Sequence, residues 1–351
     1  MAEKKALWTA LLPFSDAASD TLPLGRLLRL SLFQVSVGMA TVMLLGTLNR
    51  VMIVELSTPA ALVAAMVALP VLIAPFRALL GFRSDHYRSA IGWKRAPYLW
   101  FGALFQFGGL AITPFALLLL SGDNLVGPAW IGHVFAAIAF LMTGLGLHMT
   151  QTAGLALASD LATEETRPRV VALLYVMFLL GMAISAVVIG GLLADFSNTR
   201  LVQVVQGTAV ATLALNLVAL WRQERAAPMS REARAAPKPR FSDAWRDLTA
   251  GGRAGRLLAV VAIGTLGFSM QDVLLEPFGG QVLGLSVGAT TVLTAIWAAG
   301  ALGGFAVAAR LLGRGGDPAR VAASGLLAGM LAFSAVILAD PLRSTPLFFM
   351  G

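Results

Sequence analysis

The sequence predicts an all-α, polytopic membrane protein, and three observations carry that prediction. Hydrophobic residues make up 58% of the 351 residues and charged residues only 13%, with a mean hydropathy of +0.80. Soluble domains run at about 45–50% apolar and about 25% charged, so this chain has too few polar residues to face water on all sides. The apolar residues also fall in blocks of the roughly 20 residues that a helix needs to cross hydrocarbon. The basic residues gather on alternate loops, which is the signature of the positive-inside rule.

Nine complete spans are predicted, at 30–51, 60–80, 97–120, 130–157, 170–192, 202–221, 257–275, 292–312 and 321–338. Each is an unbroken apolar run rather than the alternation over about 10 residues of a barrel strand. After Asp340 a further apolar run opens at Pro346 and reaches Gly351. The sequence is therefore expected to be a piece of a longer chain, truncated in or after a tenth span. Residues 1–29 hold no apolar core, so no cleavable signal peptide is expected.

A cytoplasmic N-terminus places every one of the 26 Lys and Arg residues on the inner side except Arg50, Arg200 and Arg343. Topology then accounts for the net charge of +8, and nucleic acid needs no role. Basic inner loops also attract anionic membrane lipids, at about 1 kcal/mol per residue near the surface. With no cysteine in the chain, disulfides and thiolate metal sites are excluded. No G-x-S-x-G, P-loop or H-E-x-x-H is found, so enzyme chemistry is not expected.

The longest polar segment follows the sixth span. It divides the chain into an N-terminal six-helix bundle (1–222), a cytoplasmic linker (223–255) and a partial C-terminal bundle (256–351). Within the linker, Phe241-Ser-Asp-Ala-Trp-Arg-Asp-Leu248 reads either as a short amphipathic surface helix or as unstructured chain. The two bundles repeat one another. Leu79-Leu-Gly81-Phe-Arg-Ser-Asp85-His-Tyr-Arg88-Ser-Ala90 and Leu311-Leu-Gly313-Arg-Gly-Gly-Asp317-Pro-Ala-Arg320-Val-Ala322 share L-L-G-x-x-x-D-x-x-R-x-A at the same place in each half. Gly46-Thr-Leu48 and Gly264-Thr-Leu266 match in the first span of each half. Duplicated six-helix halves with G-x-x-x-D after the second helix resemble the major facilitator superfamily. That resemblance implies close helix approach at Gly81 and an inner gate held by Asp85 and basic residues. Arg88 stands where the usual motif has Gly, and Lys94-Arg95 comes several residues late, so ordinary transporter gating does not carry over.

Longer blocks narrow the resemblance. They are Phe33-Gln-Val-Ser-Val-Gly-Met-Ala40, Gly46-Thr-Leu-Asn-Arg-Val-Met-Ile-Val-Glu-Leu56, Ala74-Pro-Phe-Arg-Ala-Leu-Leu-Gly-Phe-Arg-Ser-Asp85, Gly92-Trp-Lys-Arg-Ala-Pro-Tyr98 and Gly144-Leu-Gly-Leu-His148 through Asp160. These blocks resemble the PucC/LhaA family, the bacteriochlorophyll delivery branch of that superfamily found in photosynthetic purple bacteria. The resemblance implies an assembly factor for light-harvesting antenna complexes in the inner, intracytoplasmic photosynthetic membrane. It implies bacteriochlorophyll as cargo, and antenna polypeptides and the reaction centre complex as partners. It carries no indication for carotenoid and leaves the core or peripheral antenna as client open. The alternative is a secondary transporter of a small amphiphile.

The candidate residues form three groups. His148, with Gln151 one turn on and His133 near the outer end of the fourth span, are candidate pigment contacts. A neutral imidazole ligates a chlorin magnesium, and the alternative for His148 is a packing histidine bonded to a neighbouring span. Gly81, Asp85, Arg88, Lys94, Arg95, Asp160, Glu164, Arg167 and Arg169 are a candidate inner charge lock, or else solvated loop charges. Arg50, Glu55, Asp272 and Glu276 are an outer charge group, with Asp272 and Glu276 either pairing with Arg50 or standing as interfacial charges. His148 is the one ionisable residue expected well inside the bilayer, a scarcity that suits a large apolar cargo. The pairs Gly144/Gly146 and Gly181/Ser185 are expected to pack helices closely.

Overall fold

The computed structural model describes residues 15–87, 89, 92–120, 130–224 and 239–351, apart from the side chains of 253, 269–273, 313 and 318. Every regular element among these residues is helical. After a short 3₁₀ turn at Ser15–Ala17 come α1 (Leu24–Val54), α2 (Ala60–Asp85), α3 (Ala96–Leu120), α4 (Trp130–Leu161), α5 (Arg167–Leu192) and α6 (Asn198–Leu220). Then follow α7 (Phe241–Ala250), α8 (Arg253–Gln281), α9 (Val287–Gly313), α10 (Pro318–Ala339) and α11 (Thr345–Met350). Eight of these helices, α1 to α6, α9 and α10, are long and apolar enough to cross a membrane. The expected seventh span, 257–275, is not among them: α8 has 29 residues, and among the described residues its apolar stretch is Ala254–Phe268. The amphipathic segment of the linker does fold as a helix, α7.

Helix starts are set by short side chains that accept from orphan amides. Ser197 accepts from Arg200 N at 3.2 Å, Ser286 from Ala289 N at 3.2 Å and Asp317 from Ala319 N at 3.0 Å. Two helices are irregular inside. In α2, Pro75 has no N–H to offer Val71, so the chain tightens to a 3₁₀ turn at Ala74–Phe76 and the Ala74 N–H bonds to Val71 O instead. That shift takes from the Pro70 carbonyl its usual helical donor. In α1, residues Val42–Leu48 form a π-helix.

In lipid, apolar burial between helices gains little, so close van der Waals approach and interhelical hydrogen bonds hold the bundle. Helix α1 runs through the middle, packed on α4, α5 and α6. A Cβ on Gly38 would sit 2.6 Å from Phe178 O, and one on Gly181 would sit 2.7 Å from Val35 Cα, so α1 and α5 cross at a mutual glycine notch. Gly144 abuts the Pro70 ring and Gly146 the Gln106 backbone. The notch carries across the halves, where Gly190 of α5 and Gly288 of α9 each approach the other's carbonyl. A polar cluster ties α1, α3 and α6: Gln106 Nε2 donates to Ser36 Oγ at 2.9 Å, Asn216 Nδ2 to the same oxygen at 2.9 Å, and Ser36 Oγ to Thr212 O at 3.1 Å.

Candidate functional site

Where α2 and α4 end and α3 begins, the lock residues separate into those that meet and those that do not. Arg95, just before α3, is only 7% exposed and acts as the hub. Its guanidinium makes a salt bridge to Asp85 at the end of α2 and donates to Asp160 Oδ2 on α4 at 3.0 Å and to Ser84 Oγ at 2.6 Å. Behind it, Glu224 caps the start of α3, accepting from the amides of Lys94 at 2.6 Å, Arg95 at 3.1 Å and Ala96 at 2.8 Å. Glu224 reaches this position because Arg222 takes a left-handed conformation, φ 52°, turning the chain after α6. Gln223 then bonds to Arg26, accepting from Nε at 3.1 Å.

The other expected members lie apart. Lys94 contributes its backbone amide while its side chain is exposed, and Glu164 is exposed on the α4–α5 loop. Arg167 donates to Ser159 O at 3.3 Å and Arg169 pairs with Asp16 at 3.3 Å. Gly81 faces Thr152 with room for a Cβ at 3.6 Å, so close approach does not require glycine there. Arg88 lies outside the described residues. The repeated aspartates also differ: Asp85 bridges helices, whereas Asp317 caps α10 and, among the described residues, forms a salt bridge only with Arg320, 3.8 Å away and one turn on. Ser84, Glu224 and Gln223 escaped sequence reading because nothing in their spacing marks the tertiary partner.

The outer group is rearranged. Arg50, 3% exposed, bonds to Glu55 Oε1 at 2.6 Å and to Leu285 O at 2.9 Å. Glu276 is neither its salt-bridge partner nor an interfacial charge. It is 3% exposed, its Oε1 bonds to Thr294 Oγ1 at 2.5 Å, and it abuts Gly46 on the π segment of α1. His148 is therefore not the one ionisable residue inside. The predicted seventh span, 257–275, left Glu276 just past its end, but the fold covers that end with α1 and α9. The side chain of Asp272 lies outside the described residues. Between the halves, Glu276 lines a cavity of about 210 Å³ with Thr41, Leu45, Phe178, Thr294 and Trp297.

His148 Nε2 donates to the Pro70 carbonyl at 2.8 Å, the oxygen freed by the 3₁₀ turn of α2. The bond assigns the proton to Nε2 and leaves Nδ1 as the acceptor nitrogen. His148 does not border the seam cavity, while Gln151 and His133 are half-buried on α4.

Comparison with known proteins fixes the family. The model of the family described as "PUCC protein" matches residues 47–351. The chain belongs to the PUCC family. Within it, the chain is 66% identical over 338 residues to an "Uncharacterized protein in puhA-bchM intergenic region" of Rhodobacter capsulatus, covering 96% of this chain and 71% of that one. It is 54% identical over 344 residues to "Protein PucC" of Rhodovulum sulfidophilum, covering 97% and 76%. A more distant match, 26% identical over 77% of this chain and 60% of the relative, is a "Bacteriochlorophyll synthase 44.5 kDa chain" of Rhodobacter capsulatus. Among solved structures, the inward-open xylose transporter XylE from E. coli superposes with a TM-score of 0.57 at 16% identity, over 92% of this chain and 78% of that one. This PUCC-family chain therefore has the major-facilitator fold.

Proposed function

We propose that the protein is an assembly factor for bacterial light-harvesting antenna complexes, binding bacteriochlorophyll and delivering it to antenna polypeptides. The observation that carries this reading is the extent of the likeness to proteins named PucC, which runs along almost the whole chain at half identity or more. The bacteriochlorophyll named for the distant relative points the same way. The protein acts in this reading without enzymatic chemistry, in the inner membrane with its N-terminus in the cytoplasm, beside antenna polypeptides and the reaction centre complex.

The seam cavity, at about 210 Å³, lies below the about 300–1,000 Å³ of pockets that enclose drug-sized ligands. In this reading a chlorin is therefore taken elsewhere than in the seam cavity. A groove of about 810 Å³ between α3 and α6, lined by Trp93, Trp100 and Trp221, has the volume and the aromatic faces for a flat apolar cargo. His148, on α4 against Pro70 of α2, lines neither this groove nor the seam cavity, so its candidate ligand role, through the Nδ1 that the Pro70 bond leaves as acceptor, would belong to a second pigment contact apart from the groove. The deciding experiment pairs gene deletion with the absorption spectrum of the purified protein. Loss of one antenna complex while pigment synthesis continues, with bacteriochlorophyll bands in the purified protein, supports assembly. Normal levels of both antenna complexes in the deletion strain remove the assembly reading. Transport of a small amphiphile then takes first place, and gradient-driven uptake into vesicles tests it.

A further inference from the structure

The seam between the halves holds a built polar site that pigment handling does not use. Glu276 Oε1 bonds to Thr294, while Oε2 is buried and accepts no hydrogen bond from the described residues. The Thr294 hydroxyl hydrogen is committed to Glu276 and that of Thr41 to Val37 O at 2.8 Å. The oxygens at the cavity wall thus remain as acceptors. Arg50, the cation on the neighbouring face of α1, sends Nη1 to Glu55 and Nη2 to Leu285 O; its Nε is buried with no hydrogen bond among the described residues, and the guanidinium makes no salt bridge to Glu276 although its charge is felt there. Phe178 and Trp297 add aromatic surface, and Leu45, Met182 and Leu275 make the rest of the wall apolar. The π segment of α1 forms one side, and Gly46 within it makes room for the carboxylate. Such π-bulges are frequent at functional sites.

A buried carboxyl oxygen with acceptors and aromatic faces around it is satisfied by a hydrogen-bond donor, and a cationic donor supplies both the N–H and the charge that offsets the burial cost of the ionised form. We propose that this cavity binds a small alkylammonium group, with its N–H on Glu276 Oε2 and its alkyl portion against Leu45, Phe178 and Trp297. The site goes beyond the assembly reading and is independent of it. Because α1 and α5 supply one wall and α8 and α9 the other, an occupant ties the halves together.

The test uses the purified full chain in lipid nanodiscs, titrated with n-butylammonium and, separately, butanoate and butan-1-ol, reading tryptophan emission and thermal midpoint. A saturable change with butylammonium, absent with butanoate and weakened at least tenfold in Glu276→Gln, is the expected result. Trp297→Phe removes the emission change but keeps the thermal shift. Leu45→Phe keeps the carboxylate, fills the cavity and abolishes both responses, which decides the matter if Glu276→Gln fails to fold. Equal responses to butanoate and butylammonium, or undiminished binding in Glu276→Gln or Leu45→Phe, overturn the proposal. Pigment content of the wild-type preparation is read separately, so failure here leaves the assembly reading standing.

Discussion

Replacing Arg95 by Ala tests whether the inner charges are a lock or a solvated loop. The guanidinium sends three different nitrogens to three acceptors: Nε to Asp160, Nη1 to Ser84 and Nη2 to Asp85. Hydrogen bonds to charged groups contribute about 1.5–3 kcal/mol each when sheltered. Here the carboxylates are 47% and 52% exposed, so they rehydrate after the loss, and each pair falls towards the roughly 0–1 kcal/mol of surface pairs. The Ser84 bond is buried and retains its full effect. Together these give a destabilisation of about 2–4 kcal/mol for Arg95→Ala. Arg95→Lys keeps the charge but not the fork, and recovers less than half of that. Unfolding by SDS titration in mixed micelles, followed by circular dichroism, measures both variants. An Arg95→Ala protein within about 0.5 kcal/mol of wild type, inside the ordinary range for surface substitutions, would refute the hub.

Other substitutions separate the repeated motifs. Asp85→Asn is expected to lose about 1 kcal/mol with the Arg95 bridge, whereas Asp317→Asn stays near zero because Asn caps a helix as well as Asp; equal losses in the same titration would count against the distinction. Gly46→Ala drives a Cβ into Glu276 and should lower stability by about 1–3 kcal/mol, while Gly264→Ala meets no atom within 4 Å and should be neutral or slightly stabilising. Reporter fusions after Arg167 should read cytoplasm and after Ser197 periplasm, and the reverse pattern would overturn the orientation. His148→Leu should give inserted protein with less bound bacteriochlorophyll and a shifted band, with His148→Gln intermediate; full pigment in the Leu variant, or its failure to accumulate in the membrane, leaves the ligand role without support.

Eight of the nine span positions, the helical class and the major-facilitator fold were legible in the sequence because each is a property of runs and spacings. An apolar stretch of 20 residues has few alternatives to a helix in lipid, and L-L-G-x-x-x-D repeats without reference to what it touches. The small residues at Gly144, Gly146, Gly181 and Ser185 likewise announced close packing through composition. Partners were decided only in three dimensions. Arg95 finds Asp160, 65 residues away, and Glu224, 128 residues beyond Ala96, caps α3. The two aspartates of one motif diverge because Asp85 ends a helix beside Arg95, while Asp317 starts one. Glu276 read as an outer charge because span position gives depth along a helix but not which neighbour covers it. Burial of that carboxylate needs α1 to wind as a π-helix and present Gly46, and that depends on the packing of α8 and α9 against α1.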